Sequence, residues 1–94
     1  MITELAILKI DPKKADLFES TYRDVVHVLK RQPGFLSEQL LRAIEAPEQY
    51  VLSVEWESVE DHKRFIDAPD YPDLDSALGQ FVVDGSFYHY NSIE

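Results

Sequence analysis

The sequence predicts one α+β domain over residues 1–94, with a four-stranded antiparallel sheet in the ferredoxin-like order βαββαβ. Two observations support this fold class. Runs of β-branched and aliphatic residues alternate with segments whose apolar residues recur every three or four positions, and the two central runs are separated by only three residues, as in a hairpin. The chain is too short for two domains, and both main helices are expected on one face of the sheet.

The first strand and the first helix are predicted within residues 2–31. Residues 2–10 are β-branched and aliphatic with weak alternation, which favours a strand that is covered on both faces. Asp11 and Pro12 indicate a helix start, because an aspartate caps free N–H groups and a proline at the first helical position removes no needed donor. Residues 32–34, QPG, end the helix. Its apolar stripe comprises Ala15, Phe18, Tyr22, Val25, Val26 and Leu29.

The next two strands, residues 35–45 and 49–56, are expected to form an antiparallel hairpin around residues 46–48. Both strands carry apolar residues at odd and at even positions, whereas a strand with one face in water alternates. The sheet face without helices must therefore be covered as well. A second copy of the chain is the expected partner, which predicts a homodimer through this open sheet face.

A helix-capping pair begins the second half of the domain. Ser58 and Asp61 form a shortened capping box that opens a helix ending near Asp67. Pro69 breaks this helix, and a short third helix is expected to end near Gly79.

The last predicted strand, residues 82–90, is rich in valine, phenylalanine and tyrosine. Gly85 in its middle predicts a β-bulge. His89 lies between Tyr88 and Tyr90, so alternation places it on the opposite face from both tyrosines. Either His89 or the tyrosine pair therefore faces the helices.

The charge balance excludes several classes of partner. Nine Lys and Arg residues stand against 18 Asp and Glu residues, for a net charge of −9, and no stretch concentrates basic residues. Such a surface repels phosphate, which argues against nucleic acids and anionic membranes. No signal-peptide pattern and no apolar run of membrane-spanning length is found, so a cytoplasmic protein is expected.

The residue inventory predicts a protein that works without metal, heme or flavin. The chain has no cysteine, its three histidines follow no HxH or HxxxH spacing, and its three glycines are too sparse for a phosphate-binding loop. No serine stands in a G-x-S-x-G pattern, so a hydrolase triad has no support. With few dedicated polar groups, the expected ligand is small, flat and mainly apolar or aromatic.

Two motifs resemble those of the antibiotic biosynthesis monooxygenase (ABM) family. They are PGF at residues 33–35, where the second strand starts, and WES at residues 56–58, where the third strand ends. The order of elements is similar to that of the family across essentially the whole chain. The resemblance implies a dimeric α+β barrel, in which the sheets of two chains pack face to face and each chain holds a cavity between sheet and helices.

The chemistry that the resemblance implies needs no cofactor. Characterised members include oxygenases of quinols and polyketide anthrones, in which a carbanion of the substrate itself reduces oxygen. The polyketide oxygenases share the strand-end Trp56, but they place an Asn where this chain has Leu52 and an Arg on the last helix near Asp75. A heme-degrading branch places a ligand His near the same position, which this chain lacks, so heme degradation is not expected.

Trp56 and His62 are the candidate catalytic residues. Trp56 can hold a flat ring and offer its indole N–H, although a tryptophan at a strand–helix corner also serves packing. His62 has an ordinary pKa of about 6.5, which suits a general base, and it lies on or beside the inward face of its helix, so a catalytic and a rim position both fit. His27 is expected in solvent. The predicted substrate contacts are Tyr22, Phe18, Leu52, Phe65 and His89.

Two functions remain open at this point. The first is a cofactor-independent monooxygenase, an oxidoreductase, acting on a small quinol or phenol-like substrate. The second is a non-catalytic dimeric barrel that binds a small aromatic ligand or acts as an interaction module. The missing Asn and Arg favour the second function, while Trp56 and His62 favour the first.

Overall fold

The computed structural model describes residues 1–93 and confirms the predicted α+β order. The four strands form one antiparallel sheet in the order β2-β3-β1-β4. No helix within these residues is long and apolar enough to cross a membrane. The elements are β1 (Ile2–Ile10), α1 (Ala15–Lys30), β2 (Phe35–Arg42), β3 (Gln49–Trp56), α2 (Val59–Ile66), α3 (Tyr71–Gly79) and β4 (Val82–Tyr90).

Both predicted helix starts are confirmed. The Asp11 carboxylate accepts a hydrogen bond from the Lys13 N–H at 3.0 Å and caps a 3₁₀ turn, Pro12–Lys14, which precedes α1. The Ser58 hydroxyl accepts from the Asp61 N–H at 3.2 Å and donates to the Asp61 carboxylate at 2.9 Å. Ser58 therefore caps the first turn of α2, while the Asp61 carboxylate binds the Ser58 hydroxyl and not the Ser58 N–H that a full capping box would use.

The core lies between the helices and one face of the sheet. Alternate residues of β1 and β3 point toward the helices, and the apolar stripe of α1 packs on them. Val28 is buried in addition to the stripe that the spacing predicts, while Val25 and Val26 are only partly buried. The largest fully buried side chains are Trp56, Tyr50, Phe18, Ile10 and Val54.

Two sequence predictions about the strands were wrong. β2 ends at Arg42 and not at residue 45: the last backbone hydrogen bond to β3 runs from the Ala43 N–H to the Gln49 carbonyl at 2.9 Å, and Ile44 already lies in solvent. The bulge in β4 lies at Val83, between the pairs that join β4 to the end of β1. Gly85 pairs regularly, and its open surface is covered by the Phe87 ring.

Gly34 is the residue on which the junction between β2, β3 and α2 depends. Its φ is +84°, a conformation that side chains disfavour. A Cβ at this position would lie 2.2 Å from Cγ of Asp61, whose carboxylate accepts from the Ser58 hydroxyl at the start of α2. The Gly34 carbonyl accepts from the Glu57 N–H at 2.9 Å, directly after Trp56.

We predict that Gly34→Ala lowers the free energy of unfolding by about 2 kcal/mol or more, because it adds a close contact to an unfavourable φ. Urea denaturation followed by circular dichroism measures the effect. Gly79→Ala is the matched control, since a Cβ there meets nothing within 4 Å and a helical alanine is favourable. Equal stability of Gly34→Ala and the wild type would contradict this account of the junction.

Candidate functional site

A cavity of about 400 Å³ lies between the sheet and helices α2 and α3. Its volume is in the range of small-molecule sites. The deep walls are buried aliphatic and aromatic side chains, whereas Ile66 and Phe87 at the mouth are exposed. The apolar wall includes Ala6, Leu8, Leu52, Val54, Phe65 and Leu78.

A carboxylate, Glu4, stands on the floor of this cavity. It occupies an inward position of β1 and is only 8% exposed. Its neighbours across the sheet are Val54 on β3 and His89 on β4. A buried carboxylate is costly unless hydrogen bonds replace its water, so its partners determine whether the site is stable.

Trp56 supplies the first of these partners. Its indole N–H donates to Oε1 of Glu4 at 3.0 Å, and the residue is fully buried. The indole ring is enclosed by Phe35, edge-on at 6.2 Å, and by Phe65 at 5.9 Å. Trp56 therefore serves the packing role, and its N–H binds Glu4; because it lies behind the cavity wall, it does not itself hold a flat ring in the cavity.

His62 is the second partner of Glu4, and it connects Glu4 with the solvent side of the cavity. Its ring stacks on Trp56 at 5.5 Å with an interplanar angle of 26°. Nε2 of His62 lies 3.3 Å from Oε1 of Glu4, and Nδ1 lies 2.8 Å from Nε2 of His89. Both ring nitrogens are thus engaged.

These contacts form a continuous chain of proton donors and acceptors. If His62 carries its proton on Nε2 and donates to Glu4, its Nδ1 is free to accept from the Nε2–H of His89. His89 is solvent-exposed, whereas Glu4 is buried. The chain therefore connects the carboxylate on the cavity floor with bulk water. We call Glu4, His62 and His89 the proton relay.

Burial shifts the pKa values of the two inner groups in opposite directions. It raises the pKa of Glu4, against the smaller lowering effects of the Trp56 hydrogen bond and of His89. It lowers the pKa of His62 to about 4, with a further lowering from His89. His62 is therefore neutral at neutral pH, and it faces the Glu4 carboxylate at 3.3 Å as an uncharged ring and not as an ion pair.

The structure brings together four of the residues that the sequence singled out for substrate contact or catalysis: His62, Leu52, Phe65 and His89 line the cavity. His89 faces the helices and the neighbouring tyrosines face the open side of the sheet, which resolves that alternative. His27 is exposed, as predicted.

Two of the predicted substrate contacts lie elsewhere. Phe18 is fully buried in the core, edge-on against Tyr50 at 5.0 Å. Tyr22 donates to Glu38 and lines a separate polar groove beside β2. Phe18 packs between Tyr50 on β3 and Phe81 after α3, and Tyr22 reaches Glu38 on β2, so neither ring lines the cavity.

Sequence reasoning missed Glu4, Tyr71 and Asp75, which all line the cavity. Glu4 shares its parity with Ala6 and Leu8, which the structure buries, but β1 is apolar at both parities, so the sequence did not indicate that Glu4 faces inward. No signal marked Tyr71, whereas the family resemblance had pointed to the position of Asp75 only through the Arg that the polyketide oxygenases place there. Within residues 1–93, no group of three or more His, Asp or Glu side chains is arranged to hold a metal ion.

Comparison with known proteins assigns the family. The family model described as "Antibiotic biosynthesis monooxygenase" matches residues 1–74. The chain belongs to the antibiotic biosynthesis monooxygenase family. Among curated proteins it is similar to the uncharacterized protein YczJ of Bacillus subtilis, with 29% identity over 84 residues that cover 88% of each chain.

Solved structures of ABM proteins share the fold over nearly the whole chain. A Bordetella bronchiseptica protein that is classed with the antibiotic biosynthesis monooxygenases superposes with a TM-score of 0.92 at 26% identity, covering 99% of this chain and 97% of its own. SnoaB of Streptomyces nogalater, described as a cofactor-independent oxygenase, superposes with a TM-score of 0.84 at 21% identity, covering 99% and 93%.

We predict that His62 makes the protein less stable in acid. The folded chain protonates this ring only near its lowered pKa of about 4, whereas the unfolded chain does so near 6.5. Protonation between these values favours the unfolded chain, so this contribution is complete above pH 6.5 and is lost as the pH falls toward 4. The expected loss is about 1–2 kcal/mol, allowing for solvent screening of a partly accessible ring.

Urea denaturation at several pH values between 4 and 7.5 tests this. His62→Gln is expected to show a smaller loss of stability on acidification than the wild type, and His27→Gln serves as the control for removing a surface imidazole. The pKa of Glu4 is raised by burial, so protonation of Glu4 stabilises the folded chain on acidification. This effect is opposite to that of His62 and is present in both proteins. Parallel curves for the wild type and His62→Gln would refute the assignment.

Proposed function

We propose that this protein is a cofactor-independent monooxygenase that acts on a small quinol or phenol-like substrate. The observation that carries the proposal is the proton relay, which ends on a carboxylate at the floor of an apolar cavity. Membership of the ABM family and the fold shared with SnoaB support the same reaction class.

The substrate provides all the electrons in this reaction. A quinol loses a proton and becomes an anion with carbanion character on a ring carbon. That carbon forms a bond to O₂, which gives a peroxide anion and, after proton return, a hydroperoxide. Cleavage of the O–O bond then releases water and leaves a hydroxyquinone, so that quinol plus O₂ becomes hydroxyquinone plus water. The protein has to hold the ring, exclude bulk water and move protons.

Glu4 is the base in this proposal. Nδ1 of His62 is already hydrogen-bonded to His89 and its Nε2 faces Glu4, and the pKa of His62 is lowered while that of Glu4 is raised. Glu4 therefore accepts a proton more readily than the ring beside it. Oε1 of Glu4 takes both the Trp56 bond and the His62 contact, which leaves Oε2 for a substrate hydroxyl in the cavity.

Proton transfer to Glu4 also satisfies the charge balance of the cavity. An anion formed in an apolar space is costly, and an additional one would be repelled by an existing carboxylate. When the substrate gives its proton to Glu4, one negative charge moves from protein to substrate and none is added. His62 and His89 can then exchange protons between Glu4 and solvent, which makes His62 a relay and positioning residue, with Trp56 holding the carboxylate.

We predict that Glu4→Gln slows oxygen uptake with hydroquinones by about 10²–10⁴-fold, the usual contribution of a general base. His62→Gln and Trp56→Phe are expected to slow it as well, since they interrupt the relay or release the carboxylate. Uptake is measured with an oxygen electrode on a panel of substituted hydroquinones.

Glu60→Gln, an exposed carboxylate on α2, is the control with the same change of charge. Full activity of Glu4→Gln would overturn the base assignment. Binding of several hydroquinones without turnover by the wild type would favour the alternative, a non-catalytic barrel that binds aromatic ligands. That alternative is supported by Leu52 and Asp75, which replace the Asn and Arg of the polyketide oxygenases.

We further propose that the protein is a homodimer through the open face of the sheet. The register of the strands places Leu5, Ile7 and Val51 side by side on this face, next to Leu41 and Tyr88. Leu41 is 46% exposed and Tyr88 is 55% exposed. These apolar residues are interleaved with uncharged polar ones such as Ser53 and Ser86, a mixture that suits an interface, and a stable interface would bury about 1,200 Å² or more.

Light scattering is expected to give twice the chain mass of 10.9 kDa at micromolar concentration. Ile7→Lys places a charge at the centre of the open face and is expected to yield the monomer. Leu17→Lys changes an exposed leucine on α1 and should leave the dimer intact. A wild-type protein of about 11 kDa would contradict the dimer.

A further inference from the structure

Within the described residues, the carboxylates of the cavity have no lysine or arginine beside them, and the other ionisable lining groups are His62, His89 and Tyr71. The two carboxylates are Glu4 on the floor and Asp75 at the mouth, where Asp75 is exposed. None of the lysines and arginines within residues 1–93 lines the cavity. The net charge of −9 adds a long-range potential of the same sign.

The arginines nearest to these helices have partners of their own. Arg64 on α2 pairs with Asp61 at 2.8 Å, and Arg31 at the end of α1 pairs with Asp70 at 2.8 Å. Asp75, in contrast, has no cation within 4 Å in the part of the chain that the structure describes. Its charge is therefore available to a ligand that reaches the mouth.

Tyr71 lies where the effects of the two carboxylates overlap. Its hydroxyl donates to Asp75 at 3.2 Å, and its ring lines the cavity. Burial raises the pKa of Tyr71 most, and Asp75 and Glu4 raise it further. The negative potential therefore extends from the floor of the cavity to its mouth.

We propose that Asp75 is a specificity-determining residue that selects, among small phenolic or quinol ligands, those with a protonated amine on a short side chain and disfavours those with a carboxylate. The ring would occupy the apolar part of the cavity, and the ammonium group would meet Asp75 at the mouth. This inference rests on the proposed function only in taking the cavity as the ligand site, and it requires no oxygenation.

Three phenols of similar length test the charge preference: tyramine, which carries an ammonium group, 4-ethylphenol, which is neutral, and 4-hydroxyphenylacetate, which is an anion. Isothermal titration calorimetry at low salt gives their dissociation constants. The wild type is expected to bind tyramine about tenfold more tightly than 4-hydroxyphenylacetate, with 4-ethylphenol between them, because attraction and repulsion each contribute a few-fold at an exposed site.

Variants with matched charge changes separate the effect of Asp75 on binding from the effect of the overall net charge. Asp75→Asn is expected to reduce the preference for tyramine at least threefold, and Asp75→Lys to reverse it. Asp73→Asn removes the same charge from an exposed position of α3 that does not line the cavity, and it should leave the preference unchanged.

Three results would overturn the proposal. They are equal affinity of the wild type for the three phenols, no binding of tyramine at millimolar concentration, or an equal effect of Asp73→Asn and Asp75→Asn. A clear preference for tyramine without oxygen uptake on the hydroquinone panel would refute the monooxygenase and leave the charge selection standing.

Discussion

Burial of the Glu4 carboxylate is the constraint on which the rest of the site depends. A carboxylate with so little contact with water destabilises the fold unless polar partners surround it. Trp56 and His62 provide these partners from β3 and α2. The site therefore requires that β1, β3 and α2 pack in the right positions. Gly34 permits the close approach of Asp61 at the start of α2, because it has no side chain. A side chain at position 34 would therefore press on the residue that directly precedes His62.

The sequence predicted the elements well because their signals are local. Asp11, Ser58 and Pro69 act within one turn of their own position, and the structure has helix boundaries at these places. The position of Trp56 at the corner between β3 and α2 was also predictable. The prediction of a bulge at Gly85 was wrong because a glycine in a strand can also make room for a neighbouring side chain. Here Gly85 makes room for the Phe87 ring, and the extra residue of the bulge is Val83.

The polar part of the site could be predicted only in part, because it depends on contacts between distant residues. Glu4 and Trp56 are 52 positions apart, and their contact follows from the register of β1 against β3. Residues of both parities in β1 are apolar, so alternation alone did not show that Glu4 faces the helices. The same limit explains Phe18 and Tyr22: their spacing predicts a buried stripe but not which part of the sheet that stripe covers.

The apolar walls also connect ligand binding with the basicity of Glu4. The main cause of its raised pKa is loss of water, and the opposing Trp56 hydrogen bond is fixed by the fold. A flat ligand that fills the cavity would remove more water from the carboxylate without removing its hydrogen-bond donor. The pKa of Glu4 would then rise further toward that of a phenol, which ionises near 10 in water. Glu4 would therefore become a stronger base when a substrate hydroxyl lies beside it, while the empty site keeps a weaker base connected to solvent through His62 and His89.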